Sequence, residues 1–167
     1  DVFGNLVWES NDVLETYTAQ ELPELFNSSD GNDSFDSRSD DKGPEPEGVT
    51  TGVLDGRTYA FVGLERIGGI MVFDVTDPAA PAFITYINNR DFLAEDEFAG
   101  DIAPEGLVFI SPEDSPSGDP LLVVANEVSG TLTVMGIHSA LPEGAYTLNI
   151  LHNNDGESQL LDAGGDL

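Results

Sequence analysis

Apolar residues along this chain fall into short runs separated by Gly, Pro and Asp clusters, a pattern that predicts strands joined by tight turns. Residues 48–53, 58–64, 69–75 and 82–88 form a first series of four. Asp55-Gly56 and Gly68-Gly69 supply the left-handed conformations that short hairpins need, and Asp77-Pro78-Ala79-Ala80-Pro81 separates the third strand from the fourth. Within the second strand, Ala60-Phe61-Val62-Gly63-Leu64 is apolar on consecutive positions, which predicts cover on both faces. A second series follows at 106–110, 120–126 and 130–137, with 146–151 as a fourth strand. Upstream, residues 2–9 predict another strand. Residues 10–26 predict a helix with Val13, Leu14, Tyr17, Leu22, Leu25 and Phe26 apolar, Thr18-x-x-Glu21 as a capping box and Pro23 limiting its length. Residues 27–47 carry no apolar period and predict a long, solvated acidic loop.

The two series are copies of one unit. Pro46-Glu47-Gly48 recurs as Pro104-Glu105-Gly106, Tyr59 to Glu65 aligns with Leu121 to Glu127, and Gly69-Ile70-Met71-Val72-Phe73 aligns with Gly130-Thr131-Leu132-Thr133-Val134. The extra length of the second copy falls in the Pro/Ser/Asp/Gly segment 111–119, where repeats absorb insertions. Several strands per unit, at a period somewhat above the roughly 40–50 residues of common propeller repeats, predict blades. The expected fold class is all-β: a partial β-propeller of about two four-stranded blades plus part of a third, with one short helical insertion. Residues 1–47 are then the end of a preceding blade with the insertion and the acidic loop, 48–100 and 101–144 are blades, and 145–167 is a last strand or the start of another domain. Two blades cannot close a ring, so their faces call for further blades of a parent chain or for another protein chain. Asp1-Val2-Phe3-Gly4 and Gly164-Gly165-Asp166-Leu167 show neither a leader nor a closing element, and the sequence reads as an excerpt of a longer polypeptide.

The formal charge of −27 sets 32 acidic residues against Arg38, Lys42, Arg57, Arg66 and Arg90. Nucleic acid is excluded as a partner because phosphate binding relies on Lys and Arg, and an anionic membrane surface is disfavoured for the same reason. No apolar run reaches the ~18 residues of a membrane span, so direct membrane insertion is not expected. So dense a negative field is relieved by salt or divalent cations and suits a marine, halophilic or calcium-rich extracellular setting. There is no cysteine, hence no disulfide and no thiolate metal site.

Candidate ligands follow from the repeat. Glu47 and Glu105 open equivalent strands, and Glu65 and Glu127 end equivalent buried ones. Such carboxylates could hold Ca²⁺, a cation that takes several hard oxygens, or they could accept backbone and inter-strand hydrogen bonds. Asp40 and Asp41 lie close to the start of the first repeat and are further cation candidates. Asp30-Gly31-Asn32-Asp33-Ser34-Phe35-Asp36 has the composition of a calcium loop without the Gly and Glu of an EF-hand. His138 and His152 have no activated Ser or Cys beside them, so no nucleophilic triad is read. Asn27-Ser28-Ser29 and Asn32-Asp33-Ser34 match the N-glycosylation pattern.

Arg38-Ser39-Asp40-Asp41-Lys42-Gly43-Pro44-Glu45-Pro46-Glu47-Gly48-Val49, then Arg57 to Arg66, Gly68 to Val75 and Leu121 to Thr131, closely resemble the choice-of-anchor I family over roughly residues 1–137. That resemblance implies a lactonase-like β-propeller that is secreted or surface-attached in bacteria, and brings little defined chemistry. Tyr146-Thr147-Leu148-Asn149-Ile150-Leu151-His152-Asn153-Asn154-Asp155 is similar to the opening strand of 5′-nucleotidase-type metallophosphoesterases. It implies that Asp155 is a metal ligand and that a divalent transition metal would belong to a downstream domain, although Glu157 stands where that family has His.

The functional expectation is a binding and assembly module, calcium-stabilised, in a secreted, cell-surface or periplasmic bacterial propeller. Two alternatives stand beside it. One is part of a metal-dependent phosphoric ester hydrolase of the 5′-nucleotidase or alkaline-phosphatase kind. The other is an extracellular filament or matrix subunit, including a homo-oligomer.

Overall fold

The computed structural model describes residues 1–94, 100–139 and 148–153. Among these, the chain is mostly β: two antiparallel sheets and one short helix. The first sheet has the order β1(Pro46–Leu54)-β2(Arg57–Leu64)-β3(Ile70–Asp74)-β4(Ala82–Ile87). The second has the order β5(Pro104–Ile110)-β6(Leu121–Asn126)-β7(Thr131–Ser139)-β8(Leu148–Asn153). The predicted strands of both series are present with ends moved by a residue or two. Asp55 and Gly56, and likewise Gly68 and Gly69, have the positive φ their hairpins require.

The sheets repeat one another in register as well as order. Each first strand is irregular at its Pro-Glu-Gly, with a shift between Pro46 and Val49 in β1 and between Pro104 and Gly106 in β5. Gly63 pairs with Ile70 in the first sheet and Ala125 with Leu132 in the second. The structural equivalent of Ile70 is therefore Leu132, one residue beyond the sequence alignment. The repeat also extends upstream of the triplet. Glu65 N–H donates to the Glu45 carbonyl at 2.9 Å, and Glu127 N–H donates to the Ala103 carbonyl at 2.8 Å. Glu45 and Ala103 both hold positive φ immediately before their Pro, where a right-handed helical backbone is disfavoured.

The sheets stack face to face. Phe61, Ile70 and Val72 of the first meet Leu122, Val124, Met135 and Ile137 of the second in one buried cluster, with Phe61 and Phe109 stacked at 6.0 Å. Contact is closest along β1 and β5, and glycine permits it. A Cβ on Gly48 would lie 2.1 Å from the Glu105 carbonyl oxygen, one on Gly52 would lie 2.4 Å from the Phe109 ring, and one on Gly63 would lie 2.6 Å from the Pro104 carbonyl oxygen. The two Pro-Glu-Gly segments thus meet at the same end of the stack.

The other face of the first sheet is covered by helix α1(Val13–Glu21) and the 3₁₀ turn Pro23–Leu25. Leu14 packs with Leu64, Ile67, Met71 and Phe73, and Tyr17 lies against Phe83 at 4.6 Å. Pro23 follows the helix end as expected. Thr18 is not its cap: it sits inside the helix, fully buried, and its hydroxyl donates to the Leu14 carbonyl at 3.0 Å. Asp12 is the N-cap, without a side-chain cap bond. Residues 2–9 also differ from expectation. They form no strand, because no ladder partner lies beside them; Val2, Phe3 and Leu6 are exposed, and Trp8 rests edge-on against Phe73 at 6.1 Å.

Gly48 and Gly106 are equivalent in sequence but not in surroundings, since a Cβ on Gly106 meets only the Ala125 methyl, at 3.4 Å. Gly48→Ala is expected to cost about 2–3 kcal/mol through displacement of β5, and Gly106→Ala less than about 1 kcal/mol. Urea unfolding of the two variants checks the difference.

Candidate functional site

The stretch Arg38 to Glu47 leads into β1 and meets the β2–β3 turn that carries Glu65 and Arg66. At that junction lies the only group of three metal-ligand-type residues found among the described residues: Glu45, Glu47 and Glu65, whose carboxylate oxygens lie within 4.8 Å of one another. Sequence reasoning had singled out Glu47 and Glu65. It missed Glu45, which stands between two prolines and has Ala103 as its counterpart.

Glu45 is the hub. It is buried and accepts from Arg38 Nη2 and Arg66 Nε, both at 2.9 Å, and from Lys42 Nζ. The hydrogen bond from Lys42, followed by that from Arg66, holds its carboxyl down at about 2 against the opposing effect of burial. Glu65 is equally buried and pairs with Arg66 Nη2 at 2.9 Å, as its sequence neighbour predicts. Its carboxyl is nevertheless pushed up to about 7, first by burial and then by a hydrogen bond to Glu47. Glu47 itself is exposed. Glu45 is therefore already neutralised by side chains, and of the three carboxylates a cation could use, Glu47 is the one open to solvent.

The remaining candidates are dispersed. Glu105 and Glu127 are exposed at the corresponding places of the second sheet. Asp40 is exposed, and Asp41 pairs with Arg38 at 2.9 Å on the surface. Asp155 lies outside the described residues. In the second repeat the buried acid is Asp101, which the sequence did not point out. Its carboxylate accepts from Thr131 Oγ1 at 2.6 Å and from Thr133 Oγ1, and Asn126 Nδ2 donates to the same two hydroxyls.

The acidic loop is not merely solvated. Arg90, 5% exposed, reaches into it: Nε donates to Asn32 Oδ1 at 3.2 Å, Nη1 to the Ser29 carbonyl at 2.9 Å and the Arg66 carbonyl at 3.0 Å, and Nη2 to the Asp30 carbonyl. Its guanidinium also stacks over Phe92 at 4.8 Å. Arg66 Nη1 meets Asp30 Oδ2 at 3.1 Å. The calcium-like composition of 30–36 is thus engaged by arginines. Both glycosylation-type asparagines are built in as well: Asn27 is buried, and Asn32 Nδ2 donates to the Asp91 carbonyl at 3.1 Å. His138 is exposed and lines an open cleft of about 530 Å³ with Asp55, Glu113 and Asp119.

Residues 2–78 match the choice-of-anchor I domain, a span that holds α1, the acidic loop, β1 to β3 and all of Glu45, Glu47, Glu65 and Arg66. The chain is homologous to Gigasin-3a of Magallana gigas, at 32% identity over 81% of this chain and 54% of that protein. It is also homologous to the Mesenchyme-specific cell surface glycoprotein of Strongylocentrotus purpuratus, at 33% identity over 42% of this chain and 10% of that protein. The chain therefore spans about half the length of the first relative and a tenth of the second. Neither relative supports the bacterial source that the family resemblance implied. No solved structure matches the chain.

Two measurements address the centre. Arg90→Lys keeps the charge but cannot reproduce the forked contacts, and is expected to cost about 2–3 kcal/mol and to open residues 29–32 to limited proteolysis. For Glu65, a folded value near 7 against an ordinary 4.5 means that the folded chain holds the proton more tightly. Its contribution to stability is then full below the ordinary value and is lost as pH rises through 7. Melting temperature is expected to fall between about pH 5 and about pH 8, and Glu65→Gln should flatten that slope.

Proposed function

We propose that the chain is a segment of a cell-surface β-propeller that serves binding and assembly. The observation that carries this reading is the uncovered face of the second sheet. In the first sheet the row Thr50, Phe61, Val72 lies under the second sheet, and Phe61 and Val72 are fully buried. The equivalent row of the second sheet is Val108, Val123, Val134, flanked by Ala125 and Leu132, and there Val108 is 57% and Leu132 65% exposed. A face that the repeat covers once and leaves open once is the seat of another sheet of the same kind. On this reading residues 48–100 and 101–144 are consecutive blades, and β1 and β5 are their inner strands.

Further support comes from the last strand and from a relative. The Leu148–Asn153 stretch pairs with β7 as the fourth strand of its sheet, which favours a blade over the opening of a phosphoesterase domain. A relative carries cell surface glycoprotein in its name, and placement of this chain outside the cell rests on that homology together with its acidic charge. The exposed Glu47 and Glu105 at the inner ends of β1 and β5 supply an acidic rim, and calcium between Glu47 and Glu65 would stabilise it.

Because the chain has no cysteine, Leu132→Cys gives a clean reporter. In the intact protein its reaction with a maleimide is expected to be at least about tenfold slower than that of Asp119→Cys, and the protein should remain monomeric. Equal reactivity of the two sites sinks the propeller reading. Protection that disappears on dilution, together with oligomers at higher concentration, favours a filament or homo-oligomer instead.

A further inference from the structure

The face of the first sheet that carries α1 is covered toward β4 and bare along β1. Leu14 packs with Met71 and Phe73, Tyr17 lies against Phe83, and Trp8 rests on Phe73. On β1, Gly48 and Gly52 point at the second sheet, so the alternation of a strand leaves Val49, Thr51 and Val53 on the α1 side. Val49 is 65% and Val53 60% exposed, and Thr51 is exposed between them. An exposed apolar row beside a covered one marks an unfilled contact.

The second repeat shows what fills the same positions. Pro46, Glu47, Val49 and Thr51 are the equivalents of Pro104, Glu105, Leu107 and Phe109. In the second sheet that set lies against the first. The Glu105 carbonyl and Leu107 Cδ1 close on Gly48, the Phe109 ring on Gly52 and the Pro104 carbonyl on Gly63. Pro104 is buried there, and Leu107 and Phe109 are half-buried, whereas Pro46, Val49 and Thr51 are exposed. Glu105 stays exposed with the first sheet in place, so a sheet on β1 would leave Glu47 open to solvent as well.

We propose that a further antiparallel sheet of the same repeat, from the same molecule, docks on the β1 half of this face, with α1 wedged between the strands farther out. The inference rests on the blade reading and adds to it the seat, the register and the place of the helix. A helix is about 10–12 Å across, so α1 holds the two sheets apart toward β4 and leaves β1 as the line of closest approach. The carbonyls of Pro46 and Glu47 then require glycine or a comparably small residue at the incoming positions equivalent to Gly48 and Gly63. Thr51 is smaller than Phe109, and admits a larger residue in place of Gly52. A second copy is opposed by the formal charge of −27 on each chain. Gigasin-3a, of which this chain spans 54%, has length for further sheets.

The test uses the intact protein carrying Val49→Cys or Thr51→Cys, since the chain has no cysteine of its own. Each thiol is expected to react with a maleimide at least about tenfold more slowly than that of Asp119→Cys. Photo-leucine in place of Val49, close in size to Leu107, is expected to cross-link within one molecule to a strand outside this chain's two sheets. If both thiols react as fast as Asp119→Cys while Leu132→Cys is protected, the seat on β1 is overturned and the blade reading stands. If Leu132→Cys is equally reactive, both fall. Cross-links from position 49 to residues 1–26, or to a second copy, also overturn the proposal.

Discussion

The structure depends on how closely β5 can approach β1. Two sheets ordinarily pack about 10 Å apart through interdigitating side chains. Here, at the inner edge, a backbone carbonyl of one sheet occupies the space a side chain of the other would take. Gly48 and Gly63 receive the Glu105 and Pro104 carbonyls, and Gly52 receives the Phe109 ring. With the inner edge fixed, Phe61 and Phe109 stack and the middle strands close over Val72, Leu122 and Met135. Matching irregularities at Pro-Glu-Gly interrupt both first strands at the same place in the repeat.

Electrostatics organises the region this packing leaves open. All five basic residues are engaged by the fold: Arg38, Lys42 and Arg66 on Glu45, Arg57 on Asp74, and Arg90 on loop carbonyls. The bases thus converge chiefly on the buried acids Glu45, Glu65 and Asp74, and most of the remaining acidic residues are left without a basic partner. Burial pulls Arg90 below the ordinary arginine value and Asp30 nearby pushes the other way. Its geometry explains why the cost is borne. One planar group with several donors fastens the β2–β3 turn and the acidic loop together, where no strand or apolar side chain could do so.

Strands whose pairing is local were legible in the sequence. Asp55-Gly56 and Gly68-Gly69 named their turns, and alternation or continuity of apolar residues named the strands beside them. The helix was legible by position, but its cap was not. Thr18-x-x-Glu21 has the spacing of a capping box, yet a Thr two turns into a helix does as well by bonding to the carbonyl four residues back. Residues 2–9 have strand composition and no edge to join, and composition carries no information about a partner. Half of the glutamate centre was visible because Glu47 and Glu65 recur in the repeat. Glu45 was hidden because it does not recur, and because Arg38, Lys42 and Arg66 converge on it only after the loop has folded back.

That difference between what recurs and what does not separates framework from chemistry. The hydrogen bond from Glu65 N–H to Glu45 and from Glu127 N–H to Ala103, and the positive φ before each Pro, are shared by both repeats, as the packing of one sheet on another requires. None of them uses a side chain. At the same frame positions the first repeat places Glu45 and Arg66 where the second places Ala103 and Val128, and Gly43 where the second places Asp101. The second repeat satisfies its buried acid through the Thr131 and Thr133 hydroxyls together with the Asn89 amide. The first leaves a Glu65 carboxyl pushed up to about 7 and an unpartnered oxygen at Asn27. The side-chain features that do not recur therefore lie in the first repeat and its acidic loop, while the backbone frame is common to both.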